Sequence, residues 1–235
     1  MLHKNLQKLL DDGILPERLP APNNETIEEM IRGDLTWWVK FGISTEVPSK
    51  RHRWYNDFLT RWATNIGVSL DDVIKKFNKD TFNLAEIAGG PFGGILDIYF
   101  KDANSLTQID LLADKFEELN WKTNCSHYWL TSPAEHILDE DNQFDFLIGF
   151  NSIDHGWDIK ASIDECIRVS KAGVLSFDTN RYKLDGYPDR SHYQIVDLEK
   201  CQEYISNKSE VKSAWTHTAS AAGGTVEVLE FYWEK

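Results

Sequence analysis

A glycine-dense segment is the part of this chain whose residue types are best suited to bind a ligand. Residues 82–94 read Phe-Asn-Leu-Ala-Glu-Ile-Ala-Gly-Gly-Pro-Phe-Gly-Gly, so an apolar run carrying Glu86 leads into four glycines. Glycine tolerates positive φ and close backbone approach, and the first N–H groups of a following helix are unpaired. Asp110 ends the next apolar run, where a carboxylate can accept hydrogen bonds from ribose hydroxyls. The pattern predicts a βαβ unit with a nucleoside site, although a tight turn without a ligand would look the same.

A second group with acid–base capacity follows the apolar run at residues 144–150. Asn151, Asp154 and His155 stand just past it, where open α/β sheets place their ligands. Imidazole has a pKa suited to accepting a proton from a hydroxyl, and Asp154 is the alternative base. A histidine that only caps the next helix or shapes the pocket is equally compatible with the sequence.

Further polar and aromatic residues are candidates for the acceptor side. They are Asp178, Asn180, Arg181, His192 and Tyr193 downstream, and Trp54 and Tyr55 in an N-terminal region that also carries Trp37, Trp38 and Trp62. Aromatic faces suit sugars and planar molecules, but at helical spacing they also serve as core packing. A cap closing over the site would exclude water from the reaction.

Composition limits the class of protein. With 235 residues, 41% of them apolar, the chain can bury one α/β domain with an appendage. The net charge of −13 argues against nucleic acid as a partner, since such binding relies on phosphate contacts from a basic face. No apolar run reaches the roughly 20 residues of a membrane span and no signal-peptide core is evident, which predicts a cytoplasmic protein. Cys125, Cys166 and Cys201 are too widely spaced to suggest a disulfide framework or a metal site.

Two regions differ in their periodicity. Residues 1–80 are predicted to form a helical N-terminal cap or lid. Asn24 is expected to cap a helix at 25–31, and an apolar stripe at helical spacing runs from Trp54 to Ile66. Ser69 with Asp72 is expected to open a further helix that ends near Phe77. The basic cluster at residues 50–53 is either a solvated helix start or a contact for an anionic group. Residues 81–235 alternate strands and helices, which predicts a mostly parallel, Rossmann-like sheet.

The predicted elements after residue 81 follow a definite order. Strands are expected at 82–87, 106–110, 126–130, 144–150, 173–179, 211–217 and 225–233, and helices near 94–101, 113–120, 159–170 and 197–206. The connection over residues 218–224 is too short for a crossover helix, so the last two of the seven strands should pair antiparallel.

Several segments, taken in order, resemble class I S-adenosylmethionine-dependent methyltransferases. The segment Glu86–Pro91 looks like the first motif of that family, acid-x-Gly-x-Gly, and Asp110 looks like its ribose-binding acid. Ser132–Glu135 resembles the loop that lies along adenine, residues 144–155 resemble the fourth-strand motif, and residues 161–173 resemble the helix and turn before strand five. The resemblance spans residues 82 to about 180 and is nearest to methyltransferase-domain proteins of glycan biosynthesis.

The resemblance implies S-adenosylmethionine as the cofactor and assigns roles to matching positions. Glu86 would lie near the methionine amino group, and Ala88, Gly89 and Gly90 would line the methionyl part. Asp110 would hold the ribose, Ala134 and Glu135 would flank adenine, and Asn151 would contact the cofactor from the end of strand four. Glu135 could equally be a solvated acid in a loop. His155 or Asp154 would act as base, and Arg181, His192, Tyr193, Trp54 and Tyr55 would contact the acceptor. The acceptor is expected to be a small molecule or glycan, methylated at oxygen.

Three positions depart from the family pattern. Ala88 stands where a glycine is usual and is tolerable if its φ stays negative, Phe92 stands where a third glycine is common, and His136 replaces an acid. These departures keep open a methyltransferase-like protein that binds without catalysis. An NAD-type oxidoreductase is the other alternative, which the antiparallel terminal pair and the glycine spacing oppose.

Overall fold

A computed structural model describes residues 32, 35, 47–79, 81–91, 94–119, 128–180, 194, 196–221 and 224–235. Several positions named above lie outside these residues: the predicted helix at 25–31, Trp37, Trp38, Phe92, Cys125, Arg181, His192 and Tyr193.

Two helices precede the sheet. Helix α1 covers Val47–Asn65 and helix α2 covers Leu70–Phe77. The Ser69 hydroxyl accepts a hydrogen bond from the Asp72 N–H at 3.1 Å, so α2 begins and ends where the capping pattern predicts. Helix α1 turns Tyr55, Phe58, Leu59 and Trp62 toward the sheet, all of them buried. Trp54 lies about a quarter turn from the centre of that face and is 45% exposed, so its predicted place in the apolar stripe is wrong.

The remainder of the chain alternates strands with helices as expected. The elements are β1 (Asn83–Ile87), α3 (Ile95–Tyr99), β2 (Ser105–Ile109), α4 (Ala113–Glu118), β3 (Tyr128–Leu130), β4 (Phe146–Phe150), a 3₁₀ turn (Ile153–His155), α5 (Ile159–Val169), β5 (Ala172–Thr179), α6 (Leu198–Ser206), β6 (Val211–Ala221) and β7 (Gly224–Glu234). Asp158 and Asp197 cap α5 and α6 by accepting hydrogen bonds from first-turn N–H groups, which explains where both helices begin.

Among the described residues, seven strands form one sheet in the order β3-β2-β1-β4-β5-β7-β6. Strands β1 to β5 are parallel, and β7 pairs antiparallel with both β5 and β6, which confirms the predicted architecture. The predicted loop at 218–224 is wrong, because β6 continues to Ala221 and β7 starts at Gly224. Thr218 and Ser220 pair there with Glu227 and Thr225, and such a regular ladder needs few connecting residues.

Apolar side chains fill both faces of the sheet. One cluster lies between the sheet and α1, α2 and α3, and it joins Phe58 and Trp62 to Phe146 and Val174. The other lies beneath α5 and α6, where Cys166 and Cys201 are buried thiols. No helix within the described ranges is long and apolar enough to cross a membrane.

Candidate functional site

The carboxyl ends of β1 and β4 meet at the point where the strand order reverses. Ile87 of β1 pairs with Gly149 of β4. Strand β1 has β2 as its neighbour on one side and β4 on the other, so the chain changes direction across the sheet at β1. The Ala88 N–H donates to the Ile109 carbonyl at 2.7 Å, which fastens the glycine turn beside the residue that precedes Asp110. Open α/β sheets bind ligands in the crevice at such a switch point. The turn, Asp110 and the segment after β4 therefore share one edge of the sheet.

Glu86 is buried beneath the glycine turn. Its Oε1 accepts the Ile95 N–H at 2.9 Å, and its Oε2 accepts the Leu96 N–H and the Gln108 amide, both at 3.0 Å. Burial raises the pKa of Glu86, and these hydrogen bonds oppose that rise. Because Gly94 has no side chain to cap α3, Glu86 caps it from the neighbouring strand. Glu86 thus holds the turn from below, and its contact with a cofactor amine stays a prediction.

Two of the four glycines make room for this carboxylate. A Cβ on Gly94 would clash with both oxygens of Glu86, and a Cβ on Gly89 would clash with the Gln108 amide oxygen and crowd Glu86. The glycines that the sequence suggested for a ligand site are therefore needed in part because Glu86 is buried beneath them.

Ala88 adopts a left-handed conformation, with φ of +54°. The condition under which alanine would be tolerable there, a negative φ, is therefore not met, while the Ala88 N–H stays bonded to β2. An L-residue in this region costs roughly 1–2 kcal/mol. Gly90, two residues on, has a φ of +75°, which glycine adopts freely.

Asp110 follows β2 and is largely buried. Its Oδ1 accepts the Leu112 N–H at 2.8 Å, and its own N–H donates to the Leu130 carbonyl of β3 at 3.0 Å. The carboxylate is thereby held at the carboxyl end of β2, and its contact with a ribose stays a prediction.

Glu135 joins the loop after β3 to the loop after β4. Its Oε1 accepts the Trp157 N–H at 2.6 Å and the Asp158 N–H at 3.2 Å, and Gly156 leaves no room there for a Cβ. The side chain is buried, which corrects the alternative of a solvated loop acid. Burial raises the pKa of Glu135 to about 7 against the lowering effect of those two N–H groups. Ala134 beside it is half-buried, and the adenine contacts of both residues stay predictions.

The candidate bases lie in the 3₁₀ turn after β4. Asp154 is buried, His155 is partly exposed, and Asn151 is exposed with a φ of +50° and an N–H donating to the Ser176 carbonyl at 2.8 Å. Gln194 secures this turn by donating to the Ile153 carbonyl at 3.1 Å and accepting the Ile159 N–H at 2.7 Å. Sequence reasoning missed Gln194, which belongs to no motif. The structure brings the three predicted residues to the switch point, and their chemical roles stay predictions.

The residues predicted to contact the acceptor do not share one environment. Tyr55 is buried and packs edge-on against Phe150 with ring centroids 5.6 Å apart, whereas Trp54 is exposed. The Asn180 amide donates to Glu227 at 2.5 Å and its carbonyl accepts the Leu198 N–H at 3.2 Å, so Asn180 fastens β7 and α6. Asp178 is buried one strand beyond β4.

No family model and no curated sequence matches this chain. Solved structures do match it. The YcgJ protein from Bacillus subtilis is 13% identical over 69% of this chain and 96% of that chain, with a TM-score of 0.50. An S-adenosylmethionine-dependent methyltransferase from Methanosarcina mazei is 14% identical over 69% and 96%, also at 0.50. A Haemonchus contortus phosphoethanolamine N-methyltransferase, bound to phosphomonomethylethanolamine and S-adenosylhomocysteine, is 14% identical over 74% and 52%, at 0.52. The fold is that of class I S-adenosylmethionine-dependent methyltransferases.

Proposed function

We propose that this protein is an S-adenosylmethionine-dependent methyltransferase that methylates an oxygen of a small-molecule or glycan acceptor. The observation that carries the proposal is the juxtaposition at the switch point. The bond from the Ala88 N–H to the Ile109 carbonyl places the glycine turn directly beside Asp110. A nucleoside ligand needs both an open backbone turn and a ribose acceptor.

The residues present fit this cofactor. Asp110 offers a strand-end carboxylate to the ribose hydroxyls, and the turn at Gly90 leaves backbone free of a Cβ beside the methionyl part. Glu86 accepts two backbone N–H groups beneath the glycine turn, and Glu135 accepts two that join the loop after β3 to the loop after β4, so both acids fix the loops around the proposed cofactor site. S-adenosylmethionine would supply a methyl group bound to a sulfonium, and S-adenosylhomocysteine would be the leaving group when the methyl passes to the acceptor oxygen. The Haemonchus contortus structure holds the product form of this cofactor in the same fold.

The remaining chemistry is orientation and one proton transfer. In-line displacement needs the acceptor oxygen to be held against the methyl group, and rigid positioning of the two groups lowers the barrier. His155 would take the acceptor hydroxyl proton on its imidazole, with Asp154 as the alternative base. Both lie in the 3₁₀ turn, which Gln194 binds through the Ile153 carbonyl, and Ser176 binds the N–H of Asn151 just before it.

A catalytically inactive binding protein is the second candidate. The left-handed Ala88 and the full engagement of Glu86 by backbone and amide donors favour it, because both remove features that the family uses at the methionyl end. A dinucleotide oxidoreductase is disfavoured by the antiparallel β7 between β5 and β6.

Calorimetric titration with S-adenosylmethionine, S-adenosylhomocysteine and NAD separates these candidates. We expect the first two to bind and NAD not to bind. Asp110→Asn should weaken S-adenosylhomocysteine binding about tenfold, or 1.4 kcal/mol, by losing the charged acceptor. The exposed Asp71→Asn is the matched control and should leave the affinity unchanged. Binding of NAD alone would support the oxidoreductase, and binding of none of the three would refute the methyltransferase proposal.

A further inference from the structure

A buried carboxylate on β7 lies outside every motif discussed so far. Glu230 is completely buried, and four side chains donate hydrogen bonds to it. The donors are Arg61 Nη2 at 2.6 Å, with its Nε at 3.3 Å, Trp215 Nε1 at 2.5 Å, His217 Nε2 at 3.0 Å and Ser176 Oγ at 3.1 Å. Burial acts to raise the pKa of Glu230, but His217 and Arg61 hold it below its ordinary value. The carboxylate is therefore fully engaged by donors that favour its charged form.

These donors come from three different elements. Arg61 belongs to α1, Ser176 to β5, and Trp215 and His217 to β6. Aromatic and apolar contacts seat α1 on the sheet, with Phe58 against Phe150 and Trp62 stacked on Phe146. Such contacts have little directional preference, whereas the two-pronged Arg61–Glu230 pair fixes one position of the helix along the sheet.

The network continues toward the candidate site. Ser176 donates through its hydroxyl to Glu230, and its carbonyl accepts the N–H of Asn151 at 2.8 Å. Asn151 opens the segment that carries Asp154 and His155. That segment ends at Trp157, whose N–H donates to Glu135 in the loop after β3. A continuous set of hydrogen bonds and backbone therefore runs from α1 to both loops of the site.

We propose that Arg61 and Glu230 are positioning residues that couple the seating of α1 to the geometry of residues 151–157. The functional part of this inference rests on the proposed function, because the proposed base and the loop proposed to lie beside adenine are both held by residues 151–157. When Arg61 is lost, Glu230 keeps a buried charge with one cation fewer, and its remaining donors must shift to compensate. Ser176 is one of those donors, so the strain reaches Asn151.

Lys208 offers a matched control for Arg61. Its ammonium pairs with Asp164 at 2.5 Å, and its side chain is 23% exposed, against 31% for Arg61. It stacks on Tyr204 of α6, on the opposite face of the sheet from α1. Lys208→Met and Arg61→Met remove the same charge and one ion pair each. The carboxylates left behind differ in burial, since Glu230 is fully buried and Asp164 is 49% exposed, so the two variants are compared after correction for global stability.

Amide hydrogen exchange of Arg61→Met, Lys208→Met and wild type tests the inference without any ligand. After correction for global stability, we expect the Asn151 and Trp157 amides to exchange about tenfold faster in Arg61→Met and at the wild-type rate in Lys208→Met. Arg61→Lys keeps the charge and should restore most of the protection. Equal exchange at residues 151–157 in Arg61→Met and Lys208→Met would overturn the inference.

Ser176→Ala removes one hydrogen bond to Glu230 but leaves the Arg61–Glu230 ion pair in place, so we expect it to fold even if Arg61→Met does not. It should speed exchange at Asn151 by about threefold, and unchanged exchange there would also contradict the coupling. S-adenosylhomocysteine affinity is the second readout, expected to weaken about three- to tenfold in Arg61→Met alone. If the wild type does not bind S-adenosylhomocysteine, the proposed function fails, while the exchange data still decide the coupling.

Discussion

Replacing Glu135 by glutamine should change how the stability of this protein depends on pH. The pKa of Glu135 rises from 4.5 to about 7 because the carboxyl is buried, even though the Trp157 and Asp158 N–H groups favour its charged form. A group whose pKa is higher in the folded protein stabilises the fold below the unfolded pKa. That contribution is lost as the pH rises through about 7.

The size of the effect follows from the shift. A rise from 4.5 to about 7 corresponds to about 3 kcal/mol of folding free energy lost between acidic and mildly alkaline solution. Glutamine keeps an oxygen for the Trp157 N–H and has no charge to bury, but its extra N–H groups cost about 1 kcal/mol if unpaired. Glu135→Gln should therefore be about 1 kcal/mol less stable than wild type at pH 4.5 and about 2 kcal/mol more stable at pH 8.5.

Urea unfolding of wild type and Glu135→Gln at several pH values between 4.5 and 8.5 measures this difference. Glu203→Gln, on the exposed side of α6, is the control and should follow the wild-type curve throughout. If the difference between wild type and Glu135→Gln stayed constant across that range, the carboxyl would not titrate near pH 7 and the argument from burial would fail.

Three further changes have definite expected outcomes. Ala88→Gly should raise the free energy of unfolding by about 0.5–1 kcal/mol, because relief of the left-handed strain exceeds the added chain entropy of glycine, and a loss of stability in urea would contradict the positive φ. Gly94→Ala should destabilise the fold by about 1–3 kcal/mol, since its Cβ collides with Glu86, and a melting temperature equal to wild type would refute that packing. His155→Ala should lower methyl-transfer turnover by about 10²-fold or more with S-adenosylhomocysteine affinity nearly intact, and unchanged turnover would exclude His155 as the base.

Local patterns in the sequence predicted most of the secondary structure. The capping pair Ser69 and Asp72 located α2, and the spacing of apolar runs located the strands and the antiparallel terminal pair. The acids Glu86 and Asp110 were singled out as candidate ligand-binding residues near the ends of their strands, and both are buried. These features depend on neighbours in sequence or on the repeat of a regular element, so they can be predicted from the sequence alone.

The partners of the buried acids could not be predicted in this way. Glu86 caps a helix nine residues on, and Glu135 binds N–H groups more than twenty residues on. Glu230 pairs with Arg61, which lies 169 residues earlier in the sequence. Glu135 was thought compatible with solvent because its neighbours in sequence form a loop, yet the N-terminus of α5 covers it.

By itself, the sequence determined the class of fold and the end of the sheet where chemistry is expected, because the amphipathic period of each element and the order of the elements along the chain can be read from it directly. Only the tertiary structure decided what each acid does, because burial and hydrogen-bond partners depend on which distant elements the sheet brings together. The left-handed Ala88 shows the same division. Its residue type was visible in the sequence, but the bond to β2 that accompanies its positive φ exists only in the folded sheet.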